Sequence, residues 1–177
     1  MKNCLTILFA SIVTAALFGC GDTATPATSS GQLTTVSIDA SKYALAEEPE
    51  GAIGVIAARE SAKDGESIVV VGRIGGASNP WIEGRAAFVL LDASMMLVAN
   101  GTDSAQGEIC LDDCCAQERA ASTTLVKVVD SSGQVLAVDA RKLLNVTEND
   151  MIVVHGKVNK DQAGNFVVLA DGVHVRR

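Results

Sequence analysis

Two stretches decide the fold: Ile68-Val69-Val70-Val71-Gly72-Arg73-Ile74 and Ile152-Val153-Val154-His155-Gly156-Lys157-Val158. Both read Ile-Val-Val-x-Gly-basic-aliphatic. Each follows an acidic, turn-forming approach, Asp64-Gly65-Glu66 in the first case and Glu148-Asn149-Asp150 in the second. β-Branched runs bounded by turn residues are strands. A glycine within such a strand marks a bulge or a sharp bend, where a small barrel turns its corner.

Working outward, the chain alternates strand and turn signals. Gly75 to Gly84 is a loop and Arg85 to Asp92 an apolar strand. Thr123 to Asp130 alternates in hydrophobicity, Ser131-Ser132-Gly133-Gln134 turns, and Val135 to Val138 returns. Asp139 or Ala140 opens a short helix to Leu144. After the second repeated strand, Asp161 to Asn165 forms a hairpin turn into a last strand, Phe166 to Val175. Upstream, Val36 to Asp39 is expected as a short strand. Ser41 is expected to cap a helix running towards Glu48, and Ile53 to Lys63 to form a helical turn. From about Asp64 to Val175, the order of strands, with a helix before the fourth, resembles the OB-fold. That resemblance implies an all-β, five-stranded Greek-key barrel with one or two short helices.

The first residues have another purpose. Lys2 supplies a positive start, Leu5 to Phe18 an apolar core, and Leu17-Phe18-Gly19-Cys20 a cleavage site. This is the pattern of a secretory signal, too short for a spanning helix. Gly19-Cys20 resembles a bacterial lipobox, in which the cysteine becomes the acylated first residue of the mature protein. Ordinary cleavage would instead leave Cys20 as a free thiol. Residues 20–35, rich in Thr, Ala, Ser and Gly, read as a flexible tether, and 36–177 as the barrel domain. The Gly75-Gly76, Glu83-Gly84-Arg85-Ala86-Ala87-Phe88 and Cys114-Cys115 stretches resemble a group of bacterial lipoproteins that has no assigned activity. The resemblance implies location and fold only: a cell-envelope protein, lipid-anchored on the non-cytoplasmic side of a membrane.

Charge narrows the partners. The chain carries 14 basic and 21 acidic residues, a net charge of −7. Only Lys2 among them leaves with the signal. Nucleic-acid binding needs a basic footprint that releases counterions from phosphates, and the sequence supplies none. No Gly-x-Ser-x-Gly, no His-Glu-x-x-His and no phosphate-cradling glycine loop occurs. The expectation is a binding or interaction module for a small ligand, a glycan or an envelope protein, and not an enzyme.

Three places carry candidate chemistry. Cys110, Cys114 and Cys115 form Cys-x3-Cys-Cys within the long stretch Ala93 to Ser122. One reading is a disulfide from Cys110 to Cys114 or Cys115 that braces the loop. Another is a metal site, tetrahedral zinc with a histidine or thiolate-bound monovalent copper. A third is a redox-active thiol. These make a thiol- or metal-handling protein the alternative function. Trp81, the single tryptophan, lies in the loop between the first two barrel strands. It either stacks on a ligand or plugs the barrel end. His155 and His174, the only histidines, alternate with valines and read as strand residues that meet only if their strands are neighbours.

Overall fold

The chain divides into two units, Met1–Thr35 and Val36–Arg177. The computed structural model describes residues 38–95 and 112–177, all within the second unit. Its strands are β1 (Ile53–Gly54), β2 (Ser67–Ile74), β3 (Ala87–Asp92), β4 (Thr123–Val128), β5 (Met151–Lys160) and β6 (Phe166–Arg176). Three α-helices interleave them: α1 (Val55–Ser61), α2 (Ala116–Ser122) and α3 (Ala140–Leu144).

The sheet runs β1-β2-β3-β4-β6-β5, and pairing of β5 with β2 closes β2 to β6 into a barrel. The β4–β6 pair is parallel and the other barrel pairs are antiparallel. With α3 between β4 and β5, this is an OB-fold-like, all-β domain. The two repeated stretches are each other's partners. Ile68 lies opposite Gly156, Val70 opposite Val154, and Gly72 opposite Ile152, so a local two-fold axis passes between Val70 and Val154.

Period-two alternation points Ile68, Val70 and Ile74 of β2 and Ile152, Val154 and Val158 of β5 into the barrel. There they meet Phe88, Leu90, Val126, Val128, Phe166 and Val168, with α3 adding Ala140, Leu143 and Leu144. The two bending glycines earn their places by close approach. A Cβ on Gly72 would stand 2.5 Å from the Leu91 carbonyl oxygen, and one on Gly156 would stand 2.8 Å from Ala170 Cα. At Gly156 the β5–β6 ladder slips by one residue: His155 faces Gly172, Gly156 faces Ala170, and Asp171 is left over. That is a β-bulge in β6.

Polar side chains hold the periphery. Asp92, 5% exposed, accepts from the Ile56 amide (2.8 Å) and from Ser94. It thereby caps α1 from a remote strand. Burial pushes its carboxyl up, but the bonds from Ser94, Ile56 and Val55 outweigh that and leave it below its ordinary value. Asp139 caps α3 through the Arg141 amide at 2.9 Å, and the Arg141 guanidinium lowers its pKa to about 2. Among the described residues, every buried side-chain nitrogen or oxygen is hydrogen-bonded.

Several details differ from the sequence reading. The helix expected from Ser41 towards Glu48 is a three-residue 3-10 turn, Ala40–Lys42, capped by Asp39. The return strand at Val135 is a single bridge to Val129, because the Ala86 amide takes the Leu136 carbonyl instead. Seven residues of the stretch expected to be irregular, Ala116–Ser122, form α2.

Candidate functional site

β6 outruns β4. Val129 donates to Ala170, the last such contact, and beyond it the chain segment around Tyr43 takes over as neighbour. Val173 donates to the Tyr43 carbonyl at 2.7 Å, and Leu45 donates to Val173 at 2.8 Å. The segment is pinned by His174 Nδ1 against the Leu45 carbonyl (3.1 Å) and by the two-pronged Arg176–Glu48 pair (2.9 and 2.6 Å). Between the two neighbours of β6 lies a cleft of about 410 Å³. Tyr43, Val129 and Leu169 supply its apolar surface; Asp130, Ser131, Lys157 and Asp171 supply polar groups.

Each polar group is placed by local structure. Asp130 Oδ1 accepts from the Ser132 amide (2.8 Å), the Ser132 hydroxyl (2.6 Å) and the Gln134 amide (3.0 Å). The Ser132 hydroxyl bond leads these in holding the Asp130 carboxyl below its ordinary value, so it stays ionised at neutral pH. Lys157 stands opposite Leu169 on β6 and opposite Ser67 on β2. Asp171 is the bulged residue, and the bulge brings its carboxylate to His155: Nδ1 and Oδ1 are 2.5 Å apart. The other ring nitrogen, Nε2, lies 3.5 Å from the Ser67 hydroxyl.

Beside the cleft runs the outer face of the sheet. Register places Ala87, Lys127, Leu169 and Lys157 in one cross-strand row and Val89, Leu125, Val167 and Asn159 in the next. Val89, Leu125, Val167 and Leu169 are each half-buried. Ile82, 44% exposed, extends the first row, since its amide donates to Ala87.

Trp81 does not line the cleft. It packs on Phe88 with ring centroids 6.2 Å apart, and Arg141 lies over it at 5.4 Å. Arg141 in turn bonds Asp139 and Glu83, tying the β2–β3 loop to α3. The histidines do sit on neighbouring strands, but His155 bonds Asp171 while His174 bonds Leu45. Cys114 and Cys115 lie on a 3-10 turn before α2 with their Sγ atoms 3.7 Å apart, far beyond a disulfide bond. Cys110, the other expected end of a brace, lies outside the described residues, as does Cys20. Among the described residues, no three His, Cys, Asp or Glu side chains converge to hold a metal ion, and no helix is long and apolar enough to cross a membrane.

Sequence reasoning missed Tyr43, Ser67 and Asp171. Only the Gly156 bend hinted at a bulge there. No family model matches the chain, and no curated protein matches it significantly.

Proposed function

We propose that the protein is a membrane-tethered lipoprotein of the cell envelope whose barrel binds a glycan. The cleft beside Tyr43 carries this reading. A sugar presents an apolar C–H face and a rim of hydroxyls, and the cleft offers an aromatic ring with aliphatic neighbours beside carboxylates, a hydroxyl and an ammonium. Such a mix of apolar surface and a few placed polar groups is the usual character of a small-molecule site. By fold analogy, OB-folds carry oligonucleotides or oligosaccharides on the face of their second and third strands, here β3 and β4. The net charge of −7 opposes the first and leaves the second. Acyl chains on Cys20 would hold the domain at a membrane surface, each buried methylene contributing about 0.8 kcal/mol.

Two measurements test the two halves. Cys20→Ser is expected to move the protein from the membrane fraction to the soluble one; unchanged membrane association removes the anchor from the proposal. Purified as that soluble variant, the protein is titrated with envelope oligosaccharides by NMR. The expected result is perturbation centred on Tyr43, Lys157 and Leu169, abolished by Tyr43→Ala. Binding that Tyr43→Ala leaves intact, or no perturbation by any of them, rejects the cleft as a glycan site.

A further inference from the structure

Ser67, His155 and Asp171 come from three adjacent strands and line up hydroxyl, imidazole and carboxylate in that order, with spacings of 3.5 and 2.5 Å. For a neutral ring, only one tautomer makes both contacts hydrogen bonds. The proton sits on Nδ1 and is donated to Asp171, so Nε2 is left to accept from the Ser67 hydroxyl. This is the arrangement that activates a serine: a base at the hydroxyl, and a carboxylate that fixes the base and stabilises its charged form. Such sets are recognised by geometry and not by order in the chain.

The surroundings add two requirements of acyl transfer. Lys157 lies directly across the β2–β5 ladder from Ser67. Among the described residues it has no ion-pair partner. A lysine paired with Ser67 across the ladder is within reach to stabilise an oxyanion as it develops. The 410 Å³ cleft begins at the same residues, since Lys157 and Asp171 both line it. Ser67 and His155 lie next to these two but outside the lining, so a substrate seated in the cleft reaches them by extending past Lys157 and Asp171.

We infer that Ser67, His155 and Asp171, with Lys157, form a hydrolytic site for carboxylic esters that face the cleft, of which an O-acylated sugar is one. The Ser67 oxygen bonds to the carbonyl carbon while its proton passes to His155 Nε2, and Lys157 faces the resulting oxyanion. The C–O bond to the alcohol then breaks, and the alcohol leaves with the proton from His155. Water, activated by the same nitrogen, adds to the acyl-serine; cleavage of the Ser67 ester releases the acid and restores the hydroxyl. Nothing is oxidised or reduced, and water is the only co-reactant. Ser67 and His155 are the catalytic residues, and Asp171 is a positioning residue. The side chains of His155 and Asp171 are 40% and 56% exposed. Water therefore weakens the electrostatic help, and the acceleration is expected at the low end of the general-base range, about 100-fold.

The probe is 4-nitrophenyl acetate with the full chain carrying Cys20→Ser, so sugar binding is not involved and the outcome is separate from the glycan titration. The expected result is release of one equivalent of 4-nitrophenol in an initial burst, an acetyl group on Ser67 by mass spectrometry, and a rate about 100-fold above Ser67→Ala. Ser67 is exposed at the strand's first position, so Ser67→Ala keeps the fold, which the melting temperature checks. Asp171→Asn is expected to lower kcat with KM little changed, as a positioning role requires, and Asp171→Glu to restore part of the rate. A rate that Ser67→Ala leaves unchanged overturns the inference, as does acetyl found on lysines or Cys114 and not on Ser67.

Discussion

Val70→Asp is expected to leave the domain unfolded at room temperature and neutral pH. Val70 is 0% exposed and sits at the centre of the β2–β5 pairing, opposite Val154, which is equally buried. Its neighbours in the core are aliphatic or aromatic. A carboxylate there loses its water and gains no partner, a cost of several kcal/mol. A domain of this size has about 5–15 kcal/mol in all. Circular dichroism on heating reads the result. If Val70→Asp melts cooperatively within a degree or two of the parent, the side chain reaches water and the packing described here is wrong at its centre. Val153→Asp offers a comparison: Val153 is also 0% exposed, but it lies outside the main core cluster. Its carboxylate needs a smaller movement to reach solvent, so a smaller loss is expected.

Gly156→Ala should be the most costly single methyl in the molecule. The added carbon would meet the Leu169 carbonyl oxygen and stand 2.8 Å from Ala170 Cα. Both obstacles are backbone, so neither swings aside; β5 and β6 must separate at the bulge. Overpacking a tight interior costs about 1–3 kcal/mol, occasionally more, and this position belongs at the top of that range. Separation would also carry Asp171 away from His155, so a slower ester hydrolysis is expected alongside the lost stability. Urea denaturation measures the first. Gly164→Ala is the comparison: unlike Gly156, that residue sits in a turn with φ +85°, and nothing lies within 4 Å of the added carbon, so only backbone strain is felt. Equal midpoints for the two variants would mean that the Gly156 contact costs no more than the strain of an alanine at φ +85°.

Much of the barrel was legible because its signals are local. The repeated stretches declared two strands, their glycines declared two bends, and Asp139 declared the start of α3. The Asp161 turn was equally plain: its side chain accepts from the Ala163 and Asn165 amides, both at 2.9 Å. Helix α2 was missed although Ala116-Gln117-Glu118-Arg119-Ala120-Ala121 is a run of strong helix formers. Of the candidate site, only His155 was singled out by sequence, and its partners were not legible. Ser67 and His155 are 88 residues apart in sequence, and His155 and Asp171 are 16 apart. Their meeting depends on strand register and on which residue of β6 is squeezed out by Gly156. No residue type at Asp171 announces that. Tyr43 is in place only because a segment upstream of the barrel takes the space that β4 leaves beside β6. Trp81 drew notice by being unique, but uniqueness says nothing about which way a ring faces.

The local two-fold between β2 and β5 has a consequence for the crowded, unfolded chain. Ile68, Val70 and Gly72 meet Gly156, Val154 and Ile152, so each strand's proper mate is nearly a copy of itself. Two β2 segments from different molecules, laid antiparallel, would present each other with almost the same side chains. Sequence alone thus gives a nascent strand little means of telling its own chain from a stranger's. What favours the native choice is tethering: within one chain the mate is always nearby, and the entropy of closing the intervening loop grows only slowly with its length. That advantage shrinks as molecules are brought together. Refolding yield should therefore fall steeply with protein concentration, through pairing of like edges between chains. Confinement near a membrane would bring neighbouring chains into the same range. A yield independent of concentration would show that β2 and β5 find each other before any neighbour can intervene.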